Sequence, residues 1–75
     1  MANPKPIHTV PYGDGWANIR EGGKRHTDVS ETQSGPTQIA RGRARAEGGQ
    51  HFLHGRDGQI REERTYRSDP YPPEG

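Results

Sequence analysis

The sequence contains no cysteine. That excludes the disulfides that staple small secreted domains, and with them any thiolate metal site. Large apolar side chains are few: Ile7, Val10, Trp16, Ile19, Val29, Ile39, Phe52, Leu53, Ile60 and the tyrosines. The hydrophobic fraction is 24%, against an apolar content of roughly 45–50% in ordinary domains when glycine is counted. No run approaches the ~20 apolar residues that span a bilayer. The opening Met1-Ala2-Asn3-Pro4-Lys5-Pro6 lacks the apolar stretch of a secretory signal, so a cytoplasmic location is expected. An excess of one charge is missing too. Eleven Lys and Arg face ten Asp and Glu, for a net charge of +1, which gives no global case for nucleic acid or membrane. No internal repeat stands out.

What is present is 75 residues, one domain at most, able to bury only ~60% of the surface its unfolded chain exposes. Each buried large apolar side chain returns about 1.5–3 kcal/mol, against about 1–2 kcal/mol of backbone entropy per ordered residue. So thin a core predicts low stability. Low hydrophobicity also favours disorder, although the small net charge does not add the usual repulsion.

Turn signals divide the chain. Residues 7–12 read as a strand, and Gly13-Asp14-Gly15 follows as a hairpin turn, since Asp-Gly suits type I′ geometry. The turn serves as a two- or a three-residue loop, which leaves the register open, and a one-residue slip swaps the faces. Residues 16–21 and 24–29 read as strands joined by Gly22-Gly23. Thr32 is the expected helix N-cap, with Pro36 tolerated in the first turn. Ile39, Ala40, Ala44 and Ala46 form a weak apolar stripe, and Gly48-Gly49 stop the helix. Gly35 and Gly42 each weaken it by roughly 1 kcal/mol. Residues 51–54 and 59–66 read as two more strands around the turn Gly55-Arg56-Asp57-Gly58. The order β-β-β-α-β-β predicts an α+β fold: a small antiparallel sheet with one helix packed on one face. Residues 1–67 form the compact domain. Residues 68–75 are a Pro-rich tail, polyproline-like in composition, expected to pack back with Tyr71 on the sheet.

Three segments carry a resemblance. Ile7-His8-Thr9-Val10-Pro11-Tyr12-Gly13-Asp14-Gly15-Trp16-Ala17, His54-Gly55-Arg56-Asp57-Gly58-Gln59-Ile60-Arg61-Glu62, and Asp69-Pro70-Tyr71-Pro72-Pro73 resemble small bacterial proteins known as domain of unknown function 2188. The resemblance implies the compact α+β fold read above and argues against disorder. It implies no activity. The chain departs from that family in the helix, where Gly35, Pro36, Gly42 and Arg43 stand.

Four histidines, His8, His26, His51 and His54, raise the question of a metal. His51 and His54 are three apart on a strand and point to opposite faces. His8 and His26 share a face in one register, but two histidines do not close a zinc site, so no metal or cofactor is expected. Acid–base catalysis needs paired groups in a cleft. Asp14 and Asp57 are turn residues instead. Glu62 and Glu63 face opposite sides, and Ser30, Ser34 and Ser68 lack a nucleophile-elbow context. A domain this small rarely forms a pocket of ~300 Å³ or more, so the chain is read as no enzyme. Gly13-Asp14-Gly15 lacks the helix and the Lys-Ser/Thr of a phosphate loop. With Gly55, Asp57 and Gly58 it is read as structural turn chemistry.

Two binding readings remain. Arg41, Arg43 and Arg45 alternate on the helix, and Arg20, Lys24 and Arg25 surround the second turn. The run from Trp16 to Arg25 resembles the DNA-reading sheets of plant ethylene-response-type factors and of phage integrase arm-binding domains. A two-stranded ribbon fits the major groove. In the Gly22-Gly23 register, Trp16, Asn18 and Arg20 share a face with Arg25, Thr27 and Val29. That face reads DNA, or else it is core with arginines at its rim, and high average burial of tryptophan favours core. The balanced charge weakens phosphate neutralisation. The reading preferred is a non-catalytic protein-interaction or accessory module, using a free sheet edge for a partner or a second copy. Weak nucleic-acid binding through the six basic residues is the alternative.

Overall fold

The computed structural model describes residues 4–66. It contains β1 (Ile7–Tyr12), β2 (Gly15–Arg20), β3 (His26–Ser30), α1 (Ser34–Glu47), β4 (Gln50–His54) and β5 (Ile60–Thr65). The class is α+β and the element order is the expected one. The boundary drawn at residue 67 and the tail it releases lie outside the described residues.

The sheet corrects one expectation. Its strand order is β3-β2-β1-β4-β5, and β4 runs parallel to β1, with Ile7 opposite His51 and Thr9 opposite Leu53. The sheet is therefore mixed, not antiparallel. The reason is directional. Two hairpins leave β3 pointing the same way as β1, and a single helix returns the chain to the starting end. The next strand must then run parallel to either free edge of the β1-β2-β3 meander.

The turns set the registers. Tyr12 pairs with Gly15, so the first loop is the two residues Gly13-Asp14. Positive φ falls on Gly13, not on an Asp-Gly pair, which corrects the type I′ expectation toward a II′-like turn. Gly15 starts the strand because a Cβ there would strike the Ser30 carbonyl oxygen. The second turn closes through Gly23 N–H to Arg20 O at 2.7 Å, one residue earlier than Gly22-Gly23 predicts. Asn18 still opposes Thr27. Beyond it a bulge intervenes, with Asp28 at φ 55°. The bulge turns Val29 out to 60% exposure.

Helix α1 starts later than Thr32 suggests. Gln33 is its N-cap and offers no side-chain cap; its amide donates to His54 O instead. Pro36 falls in the first turn. The stop matches expectation: Gly48 is left-handed, and Gly49 N–H reaches Ala44 O at 2.8 Å. The inward residues are Pro36, Thr37, Ala40 and Ala44. Ile39 is 45% exposed, so the apolar stripe is corrected to one residue of every four.

Between helix and sheet, Ile7, Ala40 and Ala44 pack together with Tyr66 against them. The largest fully buried side chains are His51, Asn18, Thr9 and Pro36. The centre of the molecule is thus more polar than apolar.

Candidate functional site

Strand alternation sorts side chains onto two faces. Thr9, Asn18 and Arg20 point to the helix, as their bonds to one another, to Pro36 O and to Glu47 show. Trp16 shares their side and is 7% exposed. The face proposed for DNA reading is therefore the covered one, and Trp16 belongs to the interior. Arg20 forks onto Glu47 at 2.8 and 3.0 Å. This hydrogen bonding raises the Arg20 value and holds the Glu47 carboxyl below its usual range. Arg41 pairs with Glu62, and Arg43 lies 3.7 Å from Asp28. Lys24 and Arg25 are exposed in the β2–β3 loop, and Arg45 is exposed on the last helical turn. Three of the six basic residues, Arg20, Arg41 and Arg43, are thus paired with acids of the same chain.

The helix side contains a buried relay. Thr9 donates to Asn18 Oδ1 at 2.6 Å, so its oxygen accepts from His51 Nε2 at 2.8 Å. Asn18 passes its two N–H groups to Asp28 at 3.0 Å and Pro36 O at 2.9 Å. His51 is fully buried, and desolvation, followed by the charge of Arg41, lowers it to about 4. A hydroxyl beside an imidazole has the form of a nucleophile and base. Here the imidazole donates rather than accepts, and both side chains are fully buried. Its Nδ1 and Arg41 Nε are buried without a hydrogen-bond partner among the described residues.

At one end of this side lies an open cleft of about 500 Å³, lined by Trp16, Gln33, Leu53, Gly55, Arg56, Arg61 and Glu62. It exceeds the size expected of so short a chain. Arg56 sits 4.7 Å above the Trp16 ring and donates to the carbonyls of Gly15 and Asp14 at 3.2 and 3.3 Å. The turn Gly55–Gly58 thereby ties onto the first hairpin. Asp57 caps Gln59 N–H at 3.1 Å, and Gly58 carries positive φ. A Cβ on Gly55 would come within 2.5 Å of Arg61 Nε.

The other sheet face has no helix. His8, Val10, Tyr12, Ala17, Ile19, His26, Phe52 and His54 fall on it by alternation and pairing. Two stacked ring pairs lie here: Tyr12 on His26 with centroids 4.3 Å apart, and His8 on Phe52 at 5.0 Å. Ala17 is completely buried although no element among the described residues packs over it, so its neighbours' side chains cover it. His8 and His26 do share this face, and His51 and His54 do point opposite ways. The partner of His8, however, is His54: the nitrogens Nδ1 and Nε2 lie 2.8 Å apart. The sequence reading missed this pair because it depends on parallel pairing of β1 with β4. Arg56 was missed likewise, since its only signal was a turn position.

Among the described residues no helix is long and apolar enough to cross a membrane. No curated protein and no solved structure matches the chain. A family profile described as "Uncharacterized protein conserved in bacteria (DUF2188)" matches residues 7–66, which run from the first residue of β1 to just past β5. The chain belongs to this family.

Proposed function

We propose that the domain is a non-catalytic protein-interaction module of the cytoplasm, and that it recognises an extended, proline-rich segment of a partner on its helix-free sheet face. The observation that supports this most is the pair of ring stacks, Tyr12 on His26 and His8 on Phe52, displayed on that face. A chain with one phenylalanine and three tyrosines places two of these rings away from its own helix. Val10 and Ile19 stand between the stacks. Grooves between flat rings suit polyproline helices, which bind with little loss of conformational entropy. Strand addition at an edge is less favoured. Edge β3 is bulged, and edge β5 exposes Arg61, Glu62, Glu63 and Arg64 in succession, both devices that deter pairing.

The test is an amide NMR titration of the full chain with a synthetic proline-rich peptide, repeated on a form lacking residues 67–75. Saturable shifts confined to Val10, Tyr12, Ile19, His26 and Phe52 support the reading. Shifts of the same residues caused by the deletion alone would show the chain's own tail in that place and overturn it. So would silence toward peptide, with salt-sensitive shifts at Lys24, Arg25 and Arg45 on adding a DNA duplex.

A further inference from the structure

We propose that His8 and His54 form a two-imidazole site for a divalent first-row cation of the kind that prefers nitrogen ligands: zinc, copper or nickel. The argument is one of donors and acceptors. His8 Nε2 is 2.9 Å from Glu21 Oε1, and an ionised carboxylate only accepts, so this nitrogen carries the hydrogen. His54 Nδ1 is 2.9 Å from the carbonyl oxygen of Gly58, which also only accepts. A neutral imidazole has one N–H and one lone pair. His8 Nδ1 and His54 Nε2 therefore both present lone pairs, and these face each other across 2.8 Å. Two lone pairs at that distance repel unless an electron-pair acceptor stands between them.

The outer contacts match those of metal-bound histidines, whose second N–H is given to a carboxylate or a backbone carbonyl. Both kinds occur here, Glu21 on one ring and Gly58 on the other. Zinc–nitrogen bonds of about 2.0–2.1 Å at a tetrahedral angle set two nitrogens about 3.3 Å apart. The rings need part by only about 0.5 Å, a side-chain rotation. Phe52 stacks on the His8 ring and fixes its plane. The His8 side chain is 18% exposed, so water reaches the site. Among the described residues no three or more His, Cys, Asp or Glu converge on one metal position. Solvent or a donor from a partner would supply the two remaining positions of a tetrahedral site. The imidazole-preferring metals follow from ligand type. This inference stands independently of the docking reading.

The experiment follows the imidazole nitrogens of the ¹⁵N-labelled full chain while zinc chloride is added at about pH 7.5. The expected result is saturable one-to-one binding that moves His8 Nδ1 and His54 Nε2. His54→Gln should abolish it, and His26→Gln should leave it unchanged. Glu21→Ala should weaken it at least about tenfold, since it removes an outer-shell acceptor. The Glu21 variant keeps the test decisive if His54→Gln fails to give a folded amide spectrum. Zinc that leaves both nitrogens unmoved, with one proton shared between them, would overturn the proposal. Binding that survives His54→Gln would do the same.

Discussion

At the scale of single residues, the most consequential side chain is His51. It is sealed between helix and sheet, and among the described residues its only side-chain hydrogen bond runs from Nε2 to Thr9. Burial lowers its value from 6.5 to about 4. The unfolded chain therefore takes up this proton first as the solution is acidified. The contribution to stability is complete above about pH 6.5 and drains away as the pH falls toward 4. The full effect is on the order of 3 kcal/mol, large for a domain whose whole stability is small. Urea unfolding at neutral pH and at about pH 4.5 should show the midpoint falling, with the assigned His51 nitrogens still neutral in the folded protein at the lower pH. A midpoint unchanged across that window would mean that His51 charges freely in the folded state. Little of this was legible in the sequence. His51 and His54 looked like equivalent members of one short strand. Alternation put them on opposite faces, but nothing local said which face the helix covers.

At the scale of elements, the strands and the helix were legible because turn chemistry punctuates them. Gly13-Asp14, Gly55–Gly58 and Gly48-Gly49 each end an element where the chain needs a turn or a positive φ. The N-terminus of α1 was misplaced because Gln33 caps nothing and instead holds β4. The parallel pairing of β4 was available from strand direction alone, and hairpin-rich composition obscured it. The bulge at Asp28 was not available, since its positive φ serves contacts with Asn18 and Thr27 made by the same side chain. Helix α1 has one correctable weakness. Gly42 is exposed, and a Cβ there would meet nothing within 4 Å. Gly42→Ala should stabilise by about 1 kcal/mol and raise the melting temperature by about 4–8 °C, as read by thermal circular dichroism. No rise would mean that the helix is not formed at that position in the folded protein.

At the scale of the whole molecule, the scarcity of apolar residues explains the arrangement. A core of Ile7, Ala40, Ala44 and Tyr66 is too small to fill the space under a fourteen-residue helix. The Thr9–Asn18–His51 relay fills the remainder with hydrogen-bonded polar side chains, and His51 Nδ1 is the one member atom left without a partner among the described residues. An unpaired buried polar atom is costly in so low a dielectric. Part of the balanced charge, legible from composition, is paired internally in Arg20–Glu47, Arg41–Glu62 and Arg43–Asp28. Three of the arginines that read as a nucleic-acid surface therefore have a carboxylate of their own chain beside them. With one edge bulged and the other charged, the chain alone should sediment as a monomer at concentrations used for NMR. A dimer by sedimentation equilibrium would place an interface on an edge or on the helix-free face.

The position of β1 has a consequence for how the protein is made. Of the five strands of the sheet, the earliest to be synthesised ends up in the middle. One of its sides is matched at once by β2. The other waits until β4 emerges, after the intervening strands and helix. At about 5–20 residues per second that interval lasts roughly 2–8 seconds. Throughout it, the nascent chain holds out a strand with unmet amide and carbonyl groups, adjacent on other ribosomes to identical strands in the same condition. The cell must bridge those seconds by spacing, by a chaperone, or by the transient adhesion of α1.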